Sequence, residues 1–223
     1  MFPPDSSIPQ GWYSAGCRRC ERLAHHLDAV RADHPGYHAA PVPPFGDPDA
    51  PLLIVGLAPG LHGANRTGRP FTGDYAGILL YEALHRFGFA NQAAATDPAD
   101  GLELTGCRIT NAVKCLPPQN KPLPAEVRSC NGYLRSEIAA LPANGSILAL
   151  GRIAHQAVLA ALALKLRDHP FAHGAVHRLP QGVTLHDSYH CSRYNTQTRR
   201  LTREAFFAVF ETIIRLRNPA AED

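Results

Sequence analysis

The apolar positions along the chain change period several times, and each change marks an element. Leu52-Leu53-Ile54-Val55 runs without a polar break, the pattern of a strand buried on both faces. Tyr75 to Phe87 places Ile78, Leu79, Ala83, Leu84 and Phe87 toward one side of a helix. Arg108-Ile109-Thr110-Asn111-Ala112-Val113 reads as a second strand. Pro124 to Ile138 reads as a helix, with Pro124 near its first turn and Glu126 close behind. Ile147-Leu148-Ala149-Leu150 is a third strand, closed by Gly151, and Arg152 to Leu166 is its helix. Val183-Thr184-Leu185 is a fourth strand, and Leu201 to Leu216 the last helix. This alternation predicts a three-layer α/β/α sandwich around a four-stranded parallel sheet.

In such a sheet, ligands bind beyond the carboxyl ends of the strands. The rule selects the segments after Val55, Thr110 and Leu185. Ahead of the first strand lies a Cys-containing element, about residues 10–50, that ends in the arm Ala40-Pro41-Val42-Pro43-Pro44-Phe45-Gly46-Asp47-Pro48. The arm leads straight into the core, so residues 1–223 are expected to form a single domain.

Composition narrows the classes. A chain of 223 residues with 45% hydrophobic content suits one globular core. Charged residues at 18% give no sign of disorder. The net charge of +3 is compatible with nucleic acid without being diagnostic. Arg193, Arg199, Arg200 and Arg203 share a stretch without an acid, which reads either as a solvated helix face or as a DNA contact. The start lacks a secretory pattern and no apolar stretch is long enough to span a bilayer. A soluble, cytoplasmic protein, monomeric and without a membrane partner, is the expectation. In a reducing compartment its six cysteines are not three disulfides.

The candidate chemistry sits where the sheet rule points. Gly56-Leu57-Ala58-Pro59-Gly60 runs on to Phe71-Thr72-Gly73-Asp74. It matches neither the Walker pattern nor the dinucleotide glycine spacing. Its glycines permit close backbone approach, Phe71 offers a stacking face, and Asp74 stands where a helix cap also would. Cys17 and Cys20 form a C-x-x-C pair, with Cys115 and Cys130 far downstream. Zinc ribbons usually supply two tight pairs, so the open second pair favours a Cys-ligated iron–sulfur cluster, with zinc as the alternative. Cys107 and Cys191 stay unassigned. After the fourth strand come His186-Asp187-Ser188-Tyr189-His190-Cys191-Ser192-Arg193-Tyr194-Asn195-Thr196, dense in groups that hold phosphates. His190, beyond a parallel strand's end, is a candidate donor to a leaving group.

These motifs, with His190-x-Ser192-Arg193-x-Asn195-Thr196-x-Thr198, resemble the type-B (fifth) family of the uracil-DNA glycosylase superfamily, from Cys17 to Arg203. The resemblance implies a four-stranded parallel sheet and a structural [4Fe-4S] cluster on Cys17, Cys20, Cys115 and Cys130. It also implies a monofunctional DNA-repair enzyme that flips deaminated bases from single- or double-stranded DNA. Uracil is the implied substrate, with hypoxanthine as a further one, and the product is an abasic site. Related families carry an acid or amide inside the first motif. Leu57-Ala58 stands there instead, so the resemblance moves the water-activating carboxylate to Asp74. His190 would stabilise the leaving base. Gly56, Ala58, Phe71, Asn111 and Asn120 would form the base pocket, Asn111 reading the base and Asn120 supporting it. Pro59, Gly60, Arg66, Ser188, Ser192, Arg193 and Asn195 would face the DNA. Two departures are Cys191, where many relatives have proline or an aliphatic residue, and Arg199, where glycine is usual. The insertion of the branch that traps DNA covalently is absent. The rival readings are a metal-stapled nucleic-acid-binding module without catalysis, and a redox protein that uses its cluster for electron transfer.

Overall fold

The computed structural model describes residues 8–217. Its centre is the apolar run Leu52–Gly56 (β2), which pairs in parallel with Cys107–Asn111 (β3) on one side and Ser146–Leu150 (β4) on the other. Thr184–Ser188 (β6) extends the parallel set beyond β4. All four strands are buried along their whole length. That burial is why β2 and most of β4 read as apolar runs, whereas β3 and β6 bury polar side chains such as Arg108, Thr110, His186 and Asp187. The expected four-stranded parallel core is therefore present. Two short antiparallel strands add to it: Phe45–Gly46 (β1) on β3 and Val176–Arg178 (β5) on β6. The final order is β1-β3-β2-β4-β6-β5. With two and three residues, these edge strands are too short to show an alternating pattern.

Side-chain alternation sends the sheet residues into two cores. Leu52, Ile54, Ile109, Leu148 and Leu150 pack under helices Tyr75–Arg86 (α3) and Arg203–Arg217 (α7). Leu53, Val55, Ile147, Ala149 and Leu185 pack under Pro124–Ala139 (α4) and Arg152–Ala161 (α5). The helix starts follow the capping rules. In α4, Pro124 opens the first turn and Glu126 Oε2 accepts from the Leu123 N–H at 2.7 Å. In α7, the Thr202 hydroxyl accepts from Ala205 N–H at 3.1 Å, so the helix begins at Arg203 rather than Leu201. Helix α5 stops at Ala161, short of the expected Leu166, where Ala163 takes a left-handed conformation.

The N-terminal element contains a helix, Glu21–Asp33 (α1). Its Leu23, Leu27 and Val30 pack on Val113, Leu116 and Cys130. Arg22 forks onto both oxygens of Glu126 at 2.7 Å each, tying α1 to α4. Among the described residues no helix is long and apolar enough to cross a membrane. Cys107 and Cys191 lie fully buried in the α3/α7 core and burial raises both thiols, Cys107 to about 12.

Candidate active site

The carboxyl ends of the four parallel strands open into one cavity of about 630 Å³. That is ample for a small organic ligand. Each strand contributes to it. After β2 come Ala58, Gly60, Phe71 and Asp74, and β3 ends on Asn111. After β4 come Gly151 and Arg152, and after β6 come Tyr189, His190, Ser192, Arg193 and Asn195. Asn120 reaches the rim from a turn in which it and Gln119 have positive φ.

The long loop after β2 contains a helical turn, Ala64–Thr67 (α2). Arg69 anchors the segment beyond it. Its guanidinium forks onto Asp100 at 2.9 and 2.7 Å and also donates to the Thr72 hydroxyl at 2.8 Å. Phe71 is held at φ +54°, a conformation costly for a side chain of its size. The surroundings enforce it. Tyr81 Oη and the Thr72 hydroxyl both donate to the Pro70 carbonyl, at 2.8 and 3.2 Å. Gly77 lets the first turn of α3 nest on the Phe71 carbonyl, since a Cβ there would lie 1.9 Å from that oxygen. The Phe71 ring, 5% exposed, stacks against His190 with centroids 5.9 Å apart.

Asp74 is the N-cap of α3. Its Oδ1 accepts from the Gly77 N–H at 2.9 Å. Burial raises its pKa, and the Gly77 and Ala76 N–H groups partly counter the rise. The second oxygen lies over the Gly60 and Gly63 backbone, and a Cβ on Gly63 would fall 2.4 Å from it. The motif glycines thus make room for the carboxylate.

Asn111, 4% exposed, faces the cavity with an Oδ1 that has no hydrogen-bond partner among the described residues. Gly56 lies behind it rather than in the lining. A Cβ there would lie 2.4 Å from Asn111 Oδ1 and 2.7 Å from the Phe71 ring. Asn120 is exposed. Burial pushes His190 down to about 4, so its imidazole is neutral near pH 7.

Several residues expected on the DNA face have internal work. Asn195 Nδ2 donates to the His190 carbonyl at 2.8 Å, and Ser192 caps the short helix Arg193–Gln197 (α6). Ser188 is fully buried, with its hydroxyl donating to the Tyr189 carbonyl at 2.9 Å. Its side chain is thus turned into the fold at the end of β6. Pro59 is buried as well. Arg66, half-buried, lays its guanidinium against Gly73, and its Nε donates to the His62 carbonyl at 2.8 Å. Arg193 is exposed over the Tyr75 ring, and Tyr194 beside it is 70% exposed.

Sequence reasoning missed Tyr75, Phe171 and Arg200 as lining residues. Arg200 stacks on Tyr189 with 4.6 Å to the ring centroid, and its place in the basic stretch was the available signal.

A second constellation lies beside α1. Cys17, Cys20, Cys115 and Cys130 line one small pocket together with Arg19, Lys114 and Tyr133. The Lys114 N–H donates to Cys130 Sγ at 3.3 Å. Burial raises the Cys115 thiol to about 12, and that of Cys130 upward.

A parallel α/β/α sheet with a large cavity at its carboxyl edge sets the fold class, and the uracil DNA glycosylase superfamily model matches residues 43–214. The chain belongs to that superfamily, and within it to the type-5 family. A type-5 uracil-DNA glycosylase of Thermus thermophilus is 48% identical over 205 residues, covering 90% of this chain and 93% of its own length. One of Pyrobaculum aerophilum is 40% identical over 211 residues, with 90% and 92% covered. A type-4 uracil-DNA glycosylase of Archaeoglobus fulgidus is 34% identical over 141 residues, 63% of this chain and 57% of its own length.

Proposed function

We propose that this chain is a monofunctional glycosylase that hydrolyses the N-glycosidic bond of uracil flipped from DNA, leaving an abasic site. The observation that carries the reading is the unpartnered Asn111 Oδ1 in a cavity walled by Phe71, Asp74 and His190. A buried acceptor left without a donor is costly, and a ligand N–H removes that cost. Uracil presents a donor at N3 beside an acceptor at O4, which one amide satisfies together. Cytosine presents the reverse and leaves the amide mismatched.

The chemistry follows from charge. Breaking the C1′–N1 bond builds negative charge on the base and positive charge on the sugar. Neutral His190 donates to the base O2 as the anion forms, without giving up its proton. Asp74 faces the sugar, where its free oxygen orients the attacking water and stabilises the cation. Phe71 stacks on the base, worth about 1–3 kcal/mol. Extrusion costs a few kcal/mol and is cheapest at mismatches. Tyr194 and Arg193, exposed at the cavity mouth, fill the vacated stack or hold phosphates. The roomy cavity and small Ala58 admit other deaminated bases such as hypoxanthine. Both single- and double-stranded DNA serve, and the chain acts as a monomer and a single domain.

Cys17, Cys20, Cys115 and Cys130 would hold a [4Fe-4S] cluster. The open spacing of Cys115 and Cys130 supports the cluster over a single zinc. The N–H···S contact to Cys130 is of the kind that tunes such clusters. Bound there, the cluster staples the segment around α1 to β3 and α4.

The deciding assay incubates cluster-loaded protein with a uracil-containing duplex and then treats it with alkali. Strand breakage at the uracil is expected; DNA binding without breakage would leave only the metal-stapled binding module. Purified protein should be brown and contain iron and sulfide, and a colourless zinc-replete active enzyme would overturn the cluster assignment.

A further inference from the structure

Away from both sites, His155, His177 and Asp187 place one ligand atom each within 4.8 Å of one another. They come from α5, β5 and β6. Asp187 is fully buried, His155 nearly so, and the His177 side chain keeps 11% of its surface exposed. His155 Nδ1 lies 2.8 Å from Asp187 Oδ1, and His177 Nε2 lies 3.1 Å from Asp187 Oδ2. The other nitrogen of His155 faces the His169 carbonyl at 2.9 Å. A carbonyl only accepts, so Nε2 carries the proton. In a neutral ring, Nδ1 then presents its lone pair to a carboxylate. That contact is repulsive unless a positive charge stands between them. Among the described residues, both hydrogen-bonding partners of the Asp187 side chain are imidazoles. Buried carboxylates are paired with a charge or coordinate a metal.

We propose that His155, His177 and Asp187 form a binding site for a divalent, zinc-like cation. Two imidazole nitrogens and a carboxylate oxygen are the ligands that zinc favours, with water completing a tetrahedron. Bonds of about 2.0 Å put neighbouring ligand atoms about 3.3 Å apart. The three ligand atoms, all within 4.8 Å of one another, need only a small adjustment to reach that spacing. The hydrogen bond from Nε2 of His155 to a backbone carbonyl is the outer contact that fixes a metal-bound histidine. The partly exposed His177 marks the entry path. His155 also stands edge-on to Phe171, with ring centroids 5.5 Å apart, and Phe171 lines the base cavity. The ion would therefore brace that wall. The site shares no residue with the four cysteines and does not depend on the proposed activity.

The test uses untagged, cluster-loaded protein, so that the cysteine thiolates are already occupied. Zn²⁺ is added by calorimetric titration near pH 7.5, and melting is followed with and without the ion. One zinc per chain and a raised melting temperature are expected. His177→Gln and Asp187→Asn should each weaken binding at least tenfold, while the exposed control His25→Gln leaves it unchanged. Should Asp187→Asn fail to fold, the partly exposed His177→Gln carries the test. No zinc uptake, or uptake equal in the parent and His177→Gln, overturns the proposal. So does a ¹⁵N spectrum that shows both His155 nitrogens protonated with stoichiometric zinc present, since the ring would then be an imidazolium paired with Asp187.

Discussion

A carboxylate that caps a helix with one oxygen has its direction fixed by the backbone. Asp74 holds the first turn of α3 through Oδ1, which leaves Oδ2 for the proposed water-positioning role. The two roles come apart in one substitution. Asp74→Asn keeps a good cap, so melting should move little. Turnover should fall by orders of magnitude with DNA binding intact; near-normal turnover would move the water-positioning role elsewhere. Gly63→Ala tests the same carboxylate from behind, because its Cβ would press on Asp74. A loss of turnover of tenfold or more, with uracil-DNA affinity within about twofold, is expected from a misplacement of this size. Asn111 and His190 were legible as cavity residues because they stand at or just past strand ends, and Asp74 because it closes the motif that follows β2. Phe171 was not. It lies in a connection without periodic signal, and its packing on His155, Tyr189 and Arg152 brings it to the cavity.

Elements are held together here by buried charge as well as by apolar packing. Lys114, just past β3, pairs with Glu137 of α4 at 2.5 Å, and both are almost fully buried. Thr110 donates to the same Glu137 oxygen at 3.0 Å, and Arg108 donates to the Glu137 carbonyl at 2.6 Å. Glu137→Ala would strand the ammonium, at a cost of roughly 3–5 kcal/mol. Urea unfolding should show that loss, and the double variant Lys114→Met, Glu137→Leu should recover most of it. A Glu137→Ala protein as stable as its parent would mean that Lys114 escapes to water. The helices flanking the sheet were readable from periodicity, but their ends were not. Nothing in residue type marks Ala163 as the left-handed stop of α5. Leu23, Leu27 and Val30 do carry helical spacing, which a reading centred on the Cys17–Cys20 pair passed over.

For the whole molecule, buried histidines set the response to acid. His190 and His186 bind a proton near pH 6.5 when unfolded but only near pH 4 when folded, because burial disfavours the charged ring. Between those values the unfolded chain binds more protons. Stability should therefore rise with pH across that window and be complete above about 6.5. Asp74 works in the opposite sense, since its raised pKa favours the folded state at low pH. Burial lowers His38 and His173 in the same sense, so these four histidines outweigh Asp74 and melting temperatures should climb from pH 4.5 to 6.5. A flat or falling profile would mean that water reaches these rings. The four parallel strands followed from the strand–helix rhythm; their order did not, and β1 and β5 exist only through their pairing with β3 and β6.

The cavity's rigidity decides which partner must deform. Asp74 is fastened to a helix start, Phe71 to a clamped turn and His190 to a loop pinned by Asn195. Little of this machinery can swing toward a base that stays in its stack. In the proposed reaction the travel would then belong to the nucleotide, and lesions that already weaken the duplex would make the shortest journey.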